Sequence, residues 1–165
     1  MLYSNFTTEA VQYSIESEAK AIALYVKEME QEGITVKVDE VGLLQSKDKP
    51  FLAASLDGIV TNLTTQEKWG IEIKSPLSKV GMRVEDACKS ETFFLEKLND
   101  GTIRIKRNHD YYIQVQGQLY VATDLNIETI HVMCTLVRKC LFSKRKFLWK
   151  ALPRHKFFFQ KGSLS

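Results

Sequence analysis

The chain has 165 residues, of which 44% are hydrophobic and 26% are charged, and its formal net charge is +3. This length predicts a single domain spanning residues 1–165, large enough to bury a core. No apolar stretch is long enough to cross a bilayer, and the N-terminus lacks a secretory signal. The three cysteines are odd in number and lack metal-ligand spacing, which indicates reduced thiols. We therefore expect an intracellular protein, nuclear or cytoplasmic, with no membrane partner.

Two clusters of basic residues stand out from this modest overall charge. One is Lys106-Arg107, and the other is the C-terminal stretch that contains Lys144-Arg145-Lys146. Clustered positive charge suits a polyanion, because each phosphate contact releases condensed counterions. A basic run considered alone is more often a solvated helix face. The candidate nucleic-acid contacts are Lys106, Arg107, Lys144, Arg145 and Lys146.

The first predicted element is a long helix from about Thr8 to Glu32, with Gly33 as its C-terminal stop. Its apolar residues recur at steps of four and three, which places them on one face. These residues are Ile15, Ala19, Ile22, Val26 and Met29. Glu18 falls within this stripe, and a carboxylate on the buried side of a helix is costly unless it is paired or binds a metal.

The remaining elements mix strands and helices. Strands are predicted at Ile34–Leu44 with a bend near Gly42, Phe51–Val60, Trp69–Lys74, Thr102–Lys106 after an Asn-Asp-Gly hairpin turn, and Glu128–Leu136. Further helices are predicted at Val84–Leu98, Tyr111–Ala122 and Lys146–Gln160. This order favours an α/β fold, with a mixed β-sheet core flanked by helices.

The chemistry is concentrated in the second and third predicted strands. Asp57 lies near the end of one apolar run, and Glu72 and Lys74 lie in the next, beyond a polar connection. Alternation along a strand sends Glu72 and Lys74 to the same face, so adjacent strands would bring all three residues to one edge of the sheet. Two carboxylates beside an ammonium group can hold a divalent cation and help activate a water, which is the chemistry needed to cut a phosphodiester. Such oxygen ligands suit Mg²⁺, with Mn²⁺ as the alternative.

Each of these residues also has a plainer interpretation. Asp57 before Gly58 is typical of a turn or bulge. Glu72 and Lys74 suit the solvent face of an edge strand, and Glu-x-Lys is common by chance. Other candidates could be ordinary polar or paired positions on helices: Glu18, Gln114, Gln116 and Gln118. The case for a site therefore depends on the whole set occurring together.

Four stretches resemble, in order, the PD-(D/E)xK nuclease superfamily, and specifically the phage lambda exonuclease / YqaJ-type viral recombinase family. They are Ser14–Tyr25 (SIESEAKAIALY), Phe51–Val60 (FLAASLDGIV), Gly70–Pro76 (GIEIKSP) and His109–Thr123 (HDYYIQVQGQLYVAT). The last stretch, with Tyr-Tyr-x-Gln-x-Gln, is much more specific than Glu-x-Lys. The resemblance covers about Ala10 to Thr123 and implies a restriction-endonuclease-like fold.

The same resemblance implies a role for each candidate. Asp57 and Glu72 would be metal ligands, together with the carbonyl of Ile73. Lys74 would be the catalytic lysine. Three helix residues would complete the site: Glu18 as a further acid, Gln114 as the helix glutamine and Tyr111 as a DNA-contacting neighbour.

The implied activity is Mg²⁺-dependent hydrolysis of phosphodiester bonds from the ends of linear duplex DNA, as in recombination or replication of viruses and mobile elements. Characterised relatives work in the 5′ to 3′ direction as ring-shaped trimers, and some act with a single-strand annealing protein. A homotrimer and such a protein are therefore expected partners. The alternatives are a catalytically impaired DNA-binding domain and a DNA endonuclease on the same fold.

This chain departs from the family pattern at three places. Leu56 replaces the usual proline, and Ser14 stands where glycine is usual. Family members also carry an upstream segment whose arginine and serine hold the terminal 5′-phosphate. No arginine precedes Arg83, so we expect this segment to be missing or shortened, which leaves a 5′-phosphate preference without its usual residues.

Overall fold

The computed structural model describes residues 9–136 and 148–149, with side chains described from residue 15 to residue 136. The helices are α1 Glu9–Gln31, α2 Val84–Ala87 and α3 Asp110–Ala122. The strands are β1 Val36–Asp39, β2 Leu44–Gln45, β3 Ala53–Ala54, β4 Gly58–Asn62, β5 Lys68–Lys74, β6 Leu95–Lys97, β7 Ile103–Ile105, β8 Ile130–Cys134 and β9 Leu148–Trp149.

A mixed sheet with the strand order β1-β4-β5-β8-β9 forms the centre of the fold. β1, β4 and β5 pair antiparallel, whereas β5 and β8 pair parallel and are connected through α3. Two short ribbons, β2–β3 and β6–β7, lie outside this sheet. The arrangement confirms the predicted α/β, restriction-endonuclease-like architecture.

The sheet separates two hydrophobic clusters, and each belongs to a different helix. Tyr25 of α1 packs in one cluster with Ile71 and Ile73 of β5. Val115 of α3 packs in the other with Val132 of β8. Because neighbouring residues of a strand point to opposite faces, the side of β5 opposite Ile71 and Ile73 faces α3, as the predicted alternation required.

The first helix is confirmed, but its buried line is rotated from the predicted one. Ala21, Tyr25 and Met29 are the buried residues, Ile22 and Val26 are partly buried, and Ile15 and Ala19 are exposed. The apolar arc was wide enough to allow either line. The hydrogen bonds of Tyr25 select the observed one, because they attach this side chain to the sheet.

Tyr25 joins α1 to two strands through its hydroxyl group. Trp69 Nε1 donates to the Tyr25 oxygen at 2.6 Å, and the same oxygen lies 2.6 Å from His131 Nδ1. An indole N–H only donates, so the Tyr25 oxygen accepts from Trp69, whereas the direction of the hydrogen bond with His131 Nδ1 depends on the tautomer of that ring. Burial raises the pKa of Tyr25 to about 12, which keeps this hydroxyl protonated.

Replacing Tyr25 with Phe is expected to lower the free energy of unfolding by about 1–3 kcal/mol, because the buried Trp69 N–H loses its acceptor. Urea denaturation of Tyr25→Phe, Trp69→Phe and the double variant would measure this effect. The double variant should cost less than the sum of the single variants, since both remove the same hydrogen bond. Additive costs would show that this hydrogen bond does not stabilise the fold.

Two predicted strands are interrupted where the chain changes partner. Ile34–Leu44 divides into β1 and β2, and Phe51–Val60 divides into β3 and β4. β2 and β3 pair with each other in the ribbon, whereas β1 and β4 pair in the central sheet. The interruption at residues 55–57 is therefore the point where the chain leaves the ribbon and enters the sheet.

The predicted helix Val84–Leu98 is wrong beyond Ala87. Phe93, Phe94 and Leu95 are all buried, and three consecutive buried side chains suit an extended segment better than one helix face. Leu95–Lys97 forms β6, which pairs with β7 across the predicted hairpin turn. The predicted helix Lys146–Gln160 is wrong at Leu148–Trp149, which pair with β8 as β9, and its other residues lie outside the described part of the chain.

Candidate active site

Asp57 lies at the junction between the β2–β3 ribbon and the central sheet. The next residue, Gly58, opens β4, and a Cβ atom there would lie 2.8 Å from Val38 Cγ1. Close packing at the start of a strand therefore favours glycine here, and not the positive φ of a turn. Asp57 nevertheless has a specific contact: its Oδ2 accepts a hydrogen bond from the backbone N–H of Ile73 at 2.5 Å.

The backbone of Ile73 lies beyond the end of the β4–β5 pairing. The last paired residues are Gly58 and Ile71. Lys74 O accepts from Thr135 N on the β8 side, so the peptide groups of Ile73 face the opposite, β4 side. The Asp57 carboxylate takes the place of a strand partner for the Ile73 N–H, and the Ile73 carbonyl points toward the same side of β5.

Glu72 is buried between the sheet and α3, with an exposed fraction of only 3%. Its Oε1 accepts from Lys74 Nζ at 2.7 Å and from Gln114 Nε2 at 2.9 Å. Its Oε2 accepts from Gln118 Nε2 at 2.7 Å. These contacts and the central position of β5 exclude the interpretation of Glu72 as a solvated edge-strand residue.

Lys74 is fixed by three neighbours. Besides Glu72, its Nζ donates to Gln114 Oε1 at 2.9 Å and lies 4.3 Å from the centroid of the Tyr111 ring. An ammonium group at this distance from an aromatic face is attracted by the ring quadrupole. Gln114 thus contacts both Lys74 and Glu72 through opposite ends of its amide, which sets the separation of the two charged groups.

The two carboxylates are in an environment that disfavours their charge. Burial is the main cause that raises the pKa of Asp57 and of Glu72. The Lys74 charge opposes this rise at both residues, and the Asp57 charge adds to the rise at Glu72. Since one lysine does not offset the burial of two carboxylates, additional positive charge at this position would favour their ionised forms.

Gln118 also belongs to the candidate site, although its position in the sequence predicted no specific role. Its Nε2 donates both to Glu72 Oε2 and to the carbonyl oxygen of Ser55 at 2.8 Å. It therefore links Glu72 to the segment that leads into Asp57. The available signal was spacing, because residues 114 and 118 are four apart and share one face of a helix.

Replacing Gln118 with Met is expected to lower the rate of DNA cleavage about 10–100-fold, the usual cost of removing a residue that orients a ligand or catalytic group. Gln116→Met is a matched control, because Gln116 is also buried on α3 and its Nε2 has no hydrogen-bond partner among the described residues. Cleavage rates and thermal unfolding would be measured for both. Equal losses of activity in the two variants would contradict an orienting role for Gln118.

Glu18 lies on the other side of the sheet from Glu72. Seven residues, about two helical turns, separate Glu18 from Tyr25, so both lie on the face of α1 that packs against the Ile71 and Ile73 side of β5. Across the described side chains, no three His, Cys, Asp or Glu residues form a group that could hold a metal ion. The role of Glu18 as a further acid stays a prediction.

The candidate DNA contacts fall into three groups. Tyr111 lies at the site against Lys74. Lys106 donates to the carbonyl oxygens of Ser90 and Glu91 at 3.1 and 2.7 Å, so it also supports a loop, whereas Arg107 is exposed. Lys144, Arg145 and Lys146 lie outside the described residues.

A mixed α/β fold in which the half-buried Asp57, the buried Glu72 and a lysine meet where β4 begins and β5 ends defines a nuclease-type protein of the restriction-endonuclease-like class. The YqaJ-like viral recombinase domain matches residues 2–125, and the chain belongs to this family. The family is a class of viral recombination nucleases whose substrate is DNA. This confirms the resemblance found in the sequence.

A search of curated proteins gave no match to this chain. None of the helices that the structure describes is long and apolar enough to cross a membrane.

Proposed function

We propose that this chain is a metal-dependent deoxyribonuclease that removes nucleotides from the ends of linear duplex DNA. The observation that carries the proposal is the convergence of Asp57, Glu72 and Lys74 where β4 begins and β5 ends, with Gln114 and Gln118 fixing Glu72. Family membership makes DNA the substrate. Action at ends is the expectation that comes from the lambda exonuclease resemblance.

The donor atoms at this position fit Mg²⁺. Asp57 and Glu72 supply carboxylate oxygens, and the carbonyl of Ile73 lies on the same side of β5 beyond the last pair with β4. These are the hard oxygen ligands that Mg²⁺ and Mn²⁺ prefer, and burial of both carboxylates favours a compensating cation. A cation held there would make a bound water easier to ionise and would neutralise charge on the scissile phosphate.

The protein's own groups then have distinct tasks. Lys74, held by Glu72 and Gln114, would orient the attacking water and stabilise its deprotonated form. Tyr111 restricts the position of the Lys74 ammonium group. The Asp57 carboxylate is fixed by the Ile73 N–H, so little reorganisation is needed when the substrate arrives, which is the advantage of a preorganised polar site.

The decisive experiment is digestion of DNA labelled separately at its 5′ and 3′ ends, in Mg²⁺, in Mn²⁺ or in EDTA, with a closed circular DNA beside it. We expect shortening of linear duplex only, and only with metal, with the direction given by the label that is lost first. Cleavage of the closed circle would indicate an endonuclease instead. Salt-sensitive DNA binding without turnover by a folded protein would indicate a catalytically impaired DNA-binding domain.

A further inference from the structure

The β2–β3 ribbon is a hairpin, and we use that name for it below. One of its faces packs against the rest of the protein, and the other is exposed to solvent. Register pairs Leu44 with Ala54 and Gln45 with Ala53, and Ser46 N donates to Leu52 O in continuation of this pattern. Side chains of directly opposed residues share a face. Outside the tip at residues 48–50, the even-numbered residues are buried or half-buried, and Leu44 packs against the cluster that contains Val115 of α3, whereas the odd-numbered residues are exposed.

The exposed side, here called the outer face, carries large apolar groups. Its members are Leu43, Gln45, Lys47, Phe51, Ala53 and Ser55. Phe51 is 82% exposed and Leu43 is 75% exposed, the two largest values among the exposed large hydrophobic side chains. No acidic residue belongs to the outer face, and the exposed Lys47 and Phe51 flank the hydrogen-bonded residues Ser46 and Leu52 at the tip, so the surface combines an aromatic ring with positive charge.

The hairpin is a fixed platform rather than an isolated loop. Near its tip, Lys47 N donates to Asp124 Oδ2 at 2.8 Å, and Lys49 Nζ lies 5.4 Å from the centroid of the Tyr120 ring on α3. At its base, the carbonyl of Ser55 accepts from Gln118. An aromatic side chain held outward on such a support incurs a solvation cost that burial against a partner would recover.

The β2–β3 hairpin leads directly into the candidate active site. Ser55 lies two residues before Asp57, and its backbone carbonyl is linked through Gln118 to Glu72. From Phe51 to Asp57 the chain spans six residues, at most about 20 Å. That length corresponds to about six nucleotides at the 3.4 Å spacing of one duplex strand.

We propose that the outer face of the β2–β3 hairpin binds unpaired nucleobases of the DNA beside the scissile position, with Phe51 stacking on a base and Lys47 contacting the backbone. This inference rests on the proposed nuclease function and adds a surface that holds single-stranded DNA. Every base has a flat apolar face, so stacking on Phe51 requires no particular sequence, and one lysine adds a phosphate contact. Leu43, just before β2, adds an exposed apolar side chain at the base of the hairpin.

Fluorescence of a Phe51→Trp variant would detect the stacking directly. A short single-stranded oligonucleotide, added in EDTA so that no cleavage occurs, is expected to quench the emission of the new tryptophan. Leu63→Trp is the matched control, because Leu63 is 49% exposed and follows the opposite end of β4 from Asp57. Equal quenching in the two variants, corrected for the wild-type signal, would overturn the proposal.

Binding of the same oligonucleotide supplies a second measurement. Phe51→Ala is expected to weaken it about five-fold or more, with Leu63→Ala unchanged, and Lys47→Ala is expected to lower the slope of log affinity against log salt by about one. If Phe51→Ala binds like wild type but changes the oligomeric state in sedimentation, the outer face contacts a second copy of the chain and the proposal is wrong. Stacking without any cleavage by the wild type would instead contradict the proposed exonuclease and leave this surface intact.

Discussion

Replacing Glu72 with Gln is expected to reduce DNA cleavage by about 10³-fold or more while leaving the protein folded and able to bind DNA. The change preserves the size of the side chain and an oxygen that can accept from Lys74, but it removes the negative charge that would hold a divalent cation. Loss of metal-ion catalysis is worth several kcal/mol of transition-state stabilisation, and each 1.36 kcal/mol is a factor of about ten in rate. Initial rates on end-labelled duplex, with binding measured in EDTA, would separate the two effects.

Glu67→Gln is the matched control for this experiment. Glu67 is exposed in the turn just before β5, so the same loss of charge should leave the cleavage rate unchanged. Asp57→Asn should behave like Glu72→Gln, because an asparagine oxygen can still accept from Ile73 N but lacks the charge. Cleavage by Glu72→Gln within tenfold of the wild-type rate would show that Glu72 is outside the catalytic machinery.

The parts of this fold that sequence predicted are those whose periodicity is long and local. The Glu9–Gln31 and Asp110–Ala122 helices extend over several turns, and the seven-residue strand that carries Glu72 alternates between two faces whose partners differ. The sequence predicted that Asp57, Glu72 and Lys74 meet because Asp57 directly precedes β4 and the other two lie on β5. Strands adjacent in sequence are usually adjacent in space.

The features that the sequence did not predict depend on which element each segment packs against in the folded protein. Residues 51–60 have the composition of one strand, but the chain changes from the β2–β3 hairpin to the central sheet within them, and only tertiary packing shows where. Phe93 to Leu95 are buried on all sides, which removes the periodicity that distinguishes a strand from a helix. The role of Gln118 could not be predicted for the same reason, because it depends on α3 packing on the Glu72 side of the sheet.

The Lys74–Glu72 pair makes a second large prediction, which concerns stability as well as catalysis. The side chains are only 12% and 4% exposed, so removing one partner leaves the other charge buried. Lys74→Met should therefore abolish cleavage and also lower the free energy of unfolding by about 3 kcal/mol, near the lower end for a broken buried pair, because Gln114 and Gln118 still donate to Glu72. Urea denaturation in EDTA at neutral pH would measure it.

The double variant Glu72→Gln/Lys74→Met tests the cause of that loss. Removing both charges should restore most of the stability, since no buried ion is left unpaired, while cleavage stays absent. Lys37→Met is the control, because Lys37 and Asp39 form an exposed ion pair at 2.6 Å and such pairs contribute less than about 1 kcal/mol. If the two site substitutions instead destabilise additively, the burial of Glu72 is not what Lys74 offsets. Lys74 would then stabilise the fold through its other contacts, with Gln114 and the Tyr111 ring.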